Sequence, residues 1–79
     1  MEELKPRKIP FRELRVLILE RGYYAKDLAR AIGMGESTMS MKLNGKAPWT
    51  MAEAYAVCDA LGVSYDRIPV LFPKKDVTA

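Results

Sequence analysis

A glycine closes each of the first four apolar-periodic runs in this chain: Gly22, Gly33, Gly45 and Gly62. Glycine enters left-handed backbone angles without a Cβ clash, so it ends a helix sharply. The runs between these stops are at or below the roughly 12–15 residues that an isolated helix needs to persist in water. None can stand alone, and each must be held by packing against the others. With 79 residues and 49% apolar side chains, the chain has room for one such bundle and one small core.

The runs resolve as follows. Pro10 suits the first turn of a helix. Phe11, Leu14, Leu17 and Ile18 then recur at helical spacing, which predicts a first helix over about residues 10–21. "YYAKDLARAIG" is a second, short helix with Leu28, Ala29 and Ile32 inward and Lys26 and Arg30 outward. "GMGESTMSMKLNGK" supplies a third over about 35–43, closed by Asn44-Gly45. "TMAEAYAVCDALG" is a fourth: Thr50 and Glu53 have capping-box spacing, and Met51, Ala54, Val57, Cys58 and Leu61 share a face. Ser64 is placed to cap a fifth through "YDRI", near Pro69. Residues 1–9 read as a mobile basic arm, 10–73 as the folded domain and 74–79 as a disordered tail.

Composition removes whole classes of function. The chain has no histidine and a single cysteine, Cys58. The usual zinc, haem and general-base arrangements lack their residues, and Cys–His or Ser–His catalysis is excluded. No glycine-rich phosphate loop is present, so an enzyme with a small-molecule substrate, a cofactor or a catalytic metal is not expected. No stretch approaches the ~20 apolar residues of a membrane span, and the charged start "MEELKPRK" is not followed by an apolar signal segment. A soluble, cytoplasmic protein is expected. The net charge is +3, and it is unevenly spread. Residues 5–46 hold ten Lys/Arg against four Asp/Glu, while residues 47–73 hold one arginine against three acids. A basic first half is the footprint of a nucleic-acid partner.

The third helix is the unusual one. Only Met34, Met39, Met41 and Leu43 are apolar in it and its lead-in, too few for an ordinary core helix. Two short helices joined at a glycine turn, the second polar outside and pinned inside, form a helix-turn-helix arrangement. Ala29 is small where the third helix crosses the second. Leu28, Ile32, Met34 and Met39 supply the inner faces. "AKDLARAIGMGESTMSMKLNGK" followed by "TMAEAYAVCDALGVSYDRI" resembles the Cro/C1-type (Xre-like) helix-turn-helix family of phage and bacterial repressors, from about Leu14 to Ile68. Ala29, Gly33, Ser37-Thr38, "NGK" at 44–46 and "ALGVS" at 60–64 carry the resemblance, and "KLNGKAPWT" is most similar to short prophage regulators.

The fold this implies is all-α, a lambda-repressor-like bundle of about five helices that binds double-stranded operator DNA as a homodimer. By the same resemblance Gly35, Glu36, Ser37, Ser40 and Met41 face the bases, and Asn44, Gly45 and Lys46 match a phosphate-holding loop. The side chains agree in chemistry. Ser37 and Ser40 can donate or accept at base edges, Glu36 can accept from cytosine N4, and Met41 can pack on a thymine methyl. Lys42 and Lys46 suit phosphate neutralisation. Where relatives begin the second helix with a capping threonine and a phosphate-binding glutamine, this chain has Tyr24 and Ala25. The Tyr24 hydroxyl, Lys26 and Arg30 are the candidates to replace that contact.

Several residues stay open to two readings. Trp49 either packs on the fourth helix or meets a partner, and packing fits its place better. Cys58 reads as a small buried hydrophobe. Val70, Leu71 and Phe72 either cover the bundle's own core or pair with a second copy, and the resemblance favours pairing. Two-fold pairing would set two third helices about one DNA turn, ~34 Å, apart and imply an inverted-repeat operator. The rival to a DNA-binding transcription regulator is a protein-interaction adaptor using the same helices without DNA, and behind it a purely structural dimer.

Overall fold

The computed structural model describes residues 9–73, and every regular element among them is helical. The expected arm and tail lie outside the described residues, apart from Ile9, which is exposed. In order come α1 (Arg12–Glu20), α2 (Ala25–Ala31), α3 (Glu36–Leu43), α4 (Met51–Leu61), a 3-10 turn (Tyr65–Arg67) and α5 (Ile68–Leu71). The element order expected from the glycine stops is the one observed.

Helix α1 starts later than Pro10. Phe11 adopts left-handed angles, φ 53° and ψ 41°, at the N-cap, and Pro10 closes the turn before it. That conformation costs a β-carbon residue about 1 kcal/mol. Burial of the Phe11 ring offsets it: the ring lies 6.2 Å from both Trp49, edge-on, and Phe72. Leu14, Leu17 and Ile18 continue inward from α1, where they join Leu28 and Ala29 of α2, Met39 and Leu43 of α3, and Ala54, Val57, Cys58 and Leu61 of α4. Trp49 packs against this cluster. Met51 departs from the expected α4 face, at 58% exposed. It is the first residue of α4, and helical side chains tilt toward the N-terminus, which carries it past the edge of the core.

The chain end is the larger correction. Leu71 is 0% and Phe72 9% exposed, so both fill the bundle's own core and do not form the pairing surface expected of them. Pro69 sits in the first turn of α5, where its missing N–H costs nothing. The short helix it begins packs on α1 and α4. Phe72 then closes an aromatic trio, 4.9 Å from Trp49. Val70 alone of the three remains outside.

Candidate nucleic-acid interface

The turn between α2 and α3 aims the candidate surface. Gly33 takes φ 72°, and the Met34 N–H donates back to the Ala29 carbonyl at 2.8 Å. This is the wrapped helix end that a left-handed glycine permits. Met39 and Leu43 then seal the inner side of α3, while Glu36, Ser37, Thr38, Ser40 and Met41 are exposed. Met41, at 48% exposed, points outward. Gly35 is the exposed N-cap of α3.

At the start of α2 the Tyr24 N–H donates to Asp27 Oδ2 at 2.8 Å, the reciprocal half of a capping box, while the Asp27 N–H that a threonine would have taken donates to the Tyr24 carbonyl at 3.0 Å. Tyr24 is exposed, and Lys26 Nζ lies 5.9 Å from its ring centroid. Lys26 and Arg30 both face solvent. A groove of about 220 Å³ runs between the two helices, and Arg15, Lys26, Glu36, Ser40 and Asn44 share its walls. The structure thus brings Lys26 together with Glu36, Ser40 and Asn44 on one side. Lys46 is exposed beyond the end of α3.

Lys42 has to be withdrawn from the phosphate contacts. It is 8% exposed, on the inner side of α3 beside Leu43. Its Nζ donates to Glu53 Oε1 at 2.8 Å and to the Pro48 carbonyl at 2.7 Å, and sits 5.9 Å from the Trp49 ring centroid. The aliphatic stem is buried while the head finds acceptors at the edge. The same Glu53 oxygen accepts the Thr50 N–H at 2.9 Å, and Thr50 Oγ1 accepts the Glu53 N–H at 3.1 Å. Lys42 therefore locks α3 to the capping box of α4. Burial pushes the Glu53 carboxyl up, but the hydrogen bonds from Lys42 and Thr50 and the Lys42 charge outweigh it and hold it below the ordinary glutamate value.

Arg15 is the residue that sequence reasoning missed. Its guanidinium donates to the Leu43 carbonyl at 2.7 Å and to Asn44 Oδ1 at 2.9 Å, and its Nε donates to the Pro10 carbonyl at 2.9 Å. It caps the carbonyl end of α3 from α1, where a cation also suits the helix dipole. A signal was available: Phe11, Leu14, Arg15 and Ile18 follow i, i+3, i+4, i+7 spacing, which puts Arg15 beside the inward stripe. Gly45, at φ 73°, completes the same end, with the Lys46 N–H donating to the Met41 carbonyl at 2.8 Å. Asn44 Nδ2 donates to Ser40 Oγ at 3.4 Å.

Helix α3 is thus a polar helix held from behind, with its outer face open to solvent. The model of the Cro/C1-type HTH DNA-binding domain matches residues 13–68, most of the chain. The chain belongs to this family. The solution structure of the modulator of repression (MOR) of the temperate bacteriophage TP901-1 from Lactococcus lactis superposes on this Cro/C1-type domain with a TM-score of 0.75. The two are 27% identical over 90% of this chain and 95% of that one. The crystal structure of the hypothetical transcription factor NHTF from Neisseria shares the fold, with a TM-score of 0.71 and 18% identity over 94% of this chain and 92% of that one. No curated protein sequence matches significantly. As a Cro/C1-type domain the protein is a DNA-binding regulator. No helix among the described residues is long and apolar enough to cross a membrane.

Proposed function

We propose that the protein is a sequence-specific transcriptional regulator of the short phage type, working in the cytoplasm, which reads operator DNA with α3 in the major groove. The observation that carries this is the division of α3: Met39, Lys42 and Leu43 are buried, while Glu36, Ser37, Ser40 and Met41 are all exposed on the opposite side. Gly35 opens that face. Lys26, Arg30, Lys46 and the Tyr24 hydroxyl flank it as phosphate partners, with Asn44 and Gly45 at the loop. The protein acts as a homodimer on an inverted repeat, with Val70 and the exposed surface near it as the pairing region.

A salt titration tests the reading. Three cations per protomer give six in the dimer, and neutralising six phosphates predicts roughly a thousandfold loss of affinity between 50 and 200 mM salt. A Lys26→Ala/Lys46→Ala double variant should flatten that slope without unfolding the domain. Absence of duplex binding at low salt would refute the reading.

A second reading has its own support. Helix α3 carries Glu36 and no arginine, and its lysine is internally paired. That lowers its positive potential and favours a protein partner on the same face, in keeping with a phage neighbour described as a modulator of repression. The same titration separates the two.

A further inference from the structure

Among the proposed base-facing side chains, Ser40 differs from its neighbours because a chain of hydrogen bonds reaches it from the half-buried Arg15 of α1. An arginine has five N–H donors and no acceptor. An amide that faces it must therefore present its oxygen, and its nitrogen must point the other way. Arg15 is anchored at Pro10 and Leu43 and donates to Asn44 Oδ1 at 2.9 Å. The Asn44 nitrogen is thereby turned to Ser40, where it donates to Oγ at 3.4 Å. The serine oxygen spends one of its two lone pairs on the Asn44 amide, which turns its one proton away from Asn44 and toward a partner outside. The fixed order of donor and acceptor runs from α1 to the outer face of α3.

Resting on the DNA reading proposed above, we infer that the Arg15–Asn44–Ser40 relay biases Ser40 toward donating a hydrogen bond into the major groove. It then selects a base that offers an acceptor there: a purine N7, guanine O6 or thymine O4. Cytosine is disfavoured, since its edge offers the N4 donor. Arg15 is a positioning residue in this scheme. It acts through the Asn44 amide and sets the polarity of a contact it does not make.

The experiment is selection of bound duplexes from a random pool by the full chain and three variants. The wild type should show one operator position where cytosine is depleted about tenfold against the best base. Ser40→Ala should erase that depletion, which identifies the position. In Asn44→Asp the carboxylate accepts from both Arg15 and the Ser40 hydroxyl, so the serine lone pairs face the groove and the preference at that position turns toward cytosine. The added negative charge weakens binding at every sequence alike, so the base ratio at this position is the readout. Arg15→Met releases the amide and should shrink the depletion to about twofold or less. Asn44 and Ser40 are exposed, so Asn44→Asp keeps the test alive if Arg15→Met fails to fold. Cytosine still excluded in Asn44→Asp, or a Ser40→Ala profile identical to wild type, would overturn the relay and leave DNA reading intact. Failure of the wild type to enrich any sequence at low salt would sink DNA reading and the relay with it.

Discussion

The two ends of α3 are built on different principles. At its carbonyl end, Arg15 from α1, Lys42 paired with Glu53 of α4, and the left-handed Gly45 all converge, and each makes hydrogen bonds of 2.7–3.2 Å. At its amino end there is no side-chain cap. Gly35 is extended, with φ −68° and ψ 150°, and only its carbonyl is used, by the Met39 N–H at 2.9 Å. Recognition helices address base edges through their first residues. In the proposed reading a cap there would occupy the N–H groups and crowd the approach to the bases, while the secured carbonyl end lies away from them. The orientation of a mostly polar helix is thus set by charged groups at one end, with Met39 and Leu43 supplying the apolar contact.

The sharpest way to break that contrast is to disturb the ion pair from either side. Glu53→Ala removes the counter-charge of the Lys42 ammonium, whose side chain is only 10% exposed, leaves it the Pro48 carbonyl, and removes half of the α4 capping box. The cost should be about 2 kcal/mol, reduced from that of a fully buried pair because the Glu53 side is partly solvated. Lys42→Met keeps the stem's volume and leaves the capping box whole, so urea denaturation should show a change within about 1 kcal/mol. If Lys42→Met instead lowered the salt slope of DNA binding as Lys46→Ala does, the withdrawal of Lys42 from the phosphate contacts would be wrong.

Acid titration sharpens the same point with a smaller effect. The Glu53 carboxyl is held below its ordinary value in the folded protein. Near pH 4 the unfolded chain therefore binds more protons at this position, and stability rises with pH there. Its contribution is complete above the unfolded value of about 4.3 and fades as pH falls through the lower, folded one. The difference in stability between wild type and Glu53→Gln should be constant at neutral pH and narrow below about pH 4. A difference that stays flat down to pH 3 would show that the pair contributes nothing that depends on charge.

What could be read from the sequence follows the same division. Helix ends depend on local backbone geometry, so Gly33, Asn44-Gly45 and the Thr50–Glu53 box were visible as spacings of a few residues. The outward set on α3 came from the family resemblance, and the burial of Met39 from the inner face assigned to the helix-turn-helix pair. Lys42 was hidden because a periodicity reading counts it as polar, while its stem is apolar and its acceptors lie six and eleven residues away at Pro48 and Glu53. Arg15 shared an inward stripe, but nothing local says that its partner is the end of α3, 28 residues later. Leu71 and Phe72 carry no periodic signal near a chain end. The slot that takes Phe72 exists only once Phe11 and Trp49 have been brought together by the fold. Asp27 stands at capping-box spacing from Tyr24, but tyrosine is not a capping residue and so masks that signal.

The smallest effects lie in the turn itself, where two glycines two residues apart have unlike reasons to be there. Gly33 is left-handed, and a Cβ added to it would meet nothing within 4 Å. Gly33→Ala is therefore a pure test of backbone strain, and a loss of about 1 kcal/mol is expected. Gly35 is extended, and its added Cβ would meet only Thr38 Oγ1, at an ordinary 3.9 Å. Gly35→Ser supplies the missing cap and should stabilise by a few tenths of a kcal/mol. Thermal melts of the two variants should therefore shift in opposite directions. Because the fold leaves room for a side chain at residue 35, a Gly35→Ser protein that melts higher and binds DNA more weakly would assign the glycine to close approach of the backbone to the duplex. If Gly35→Ser melts lower, the open amino end of α3 is a requirement of the fold, and the contrast between its two ends fails.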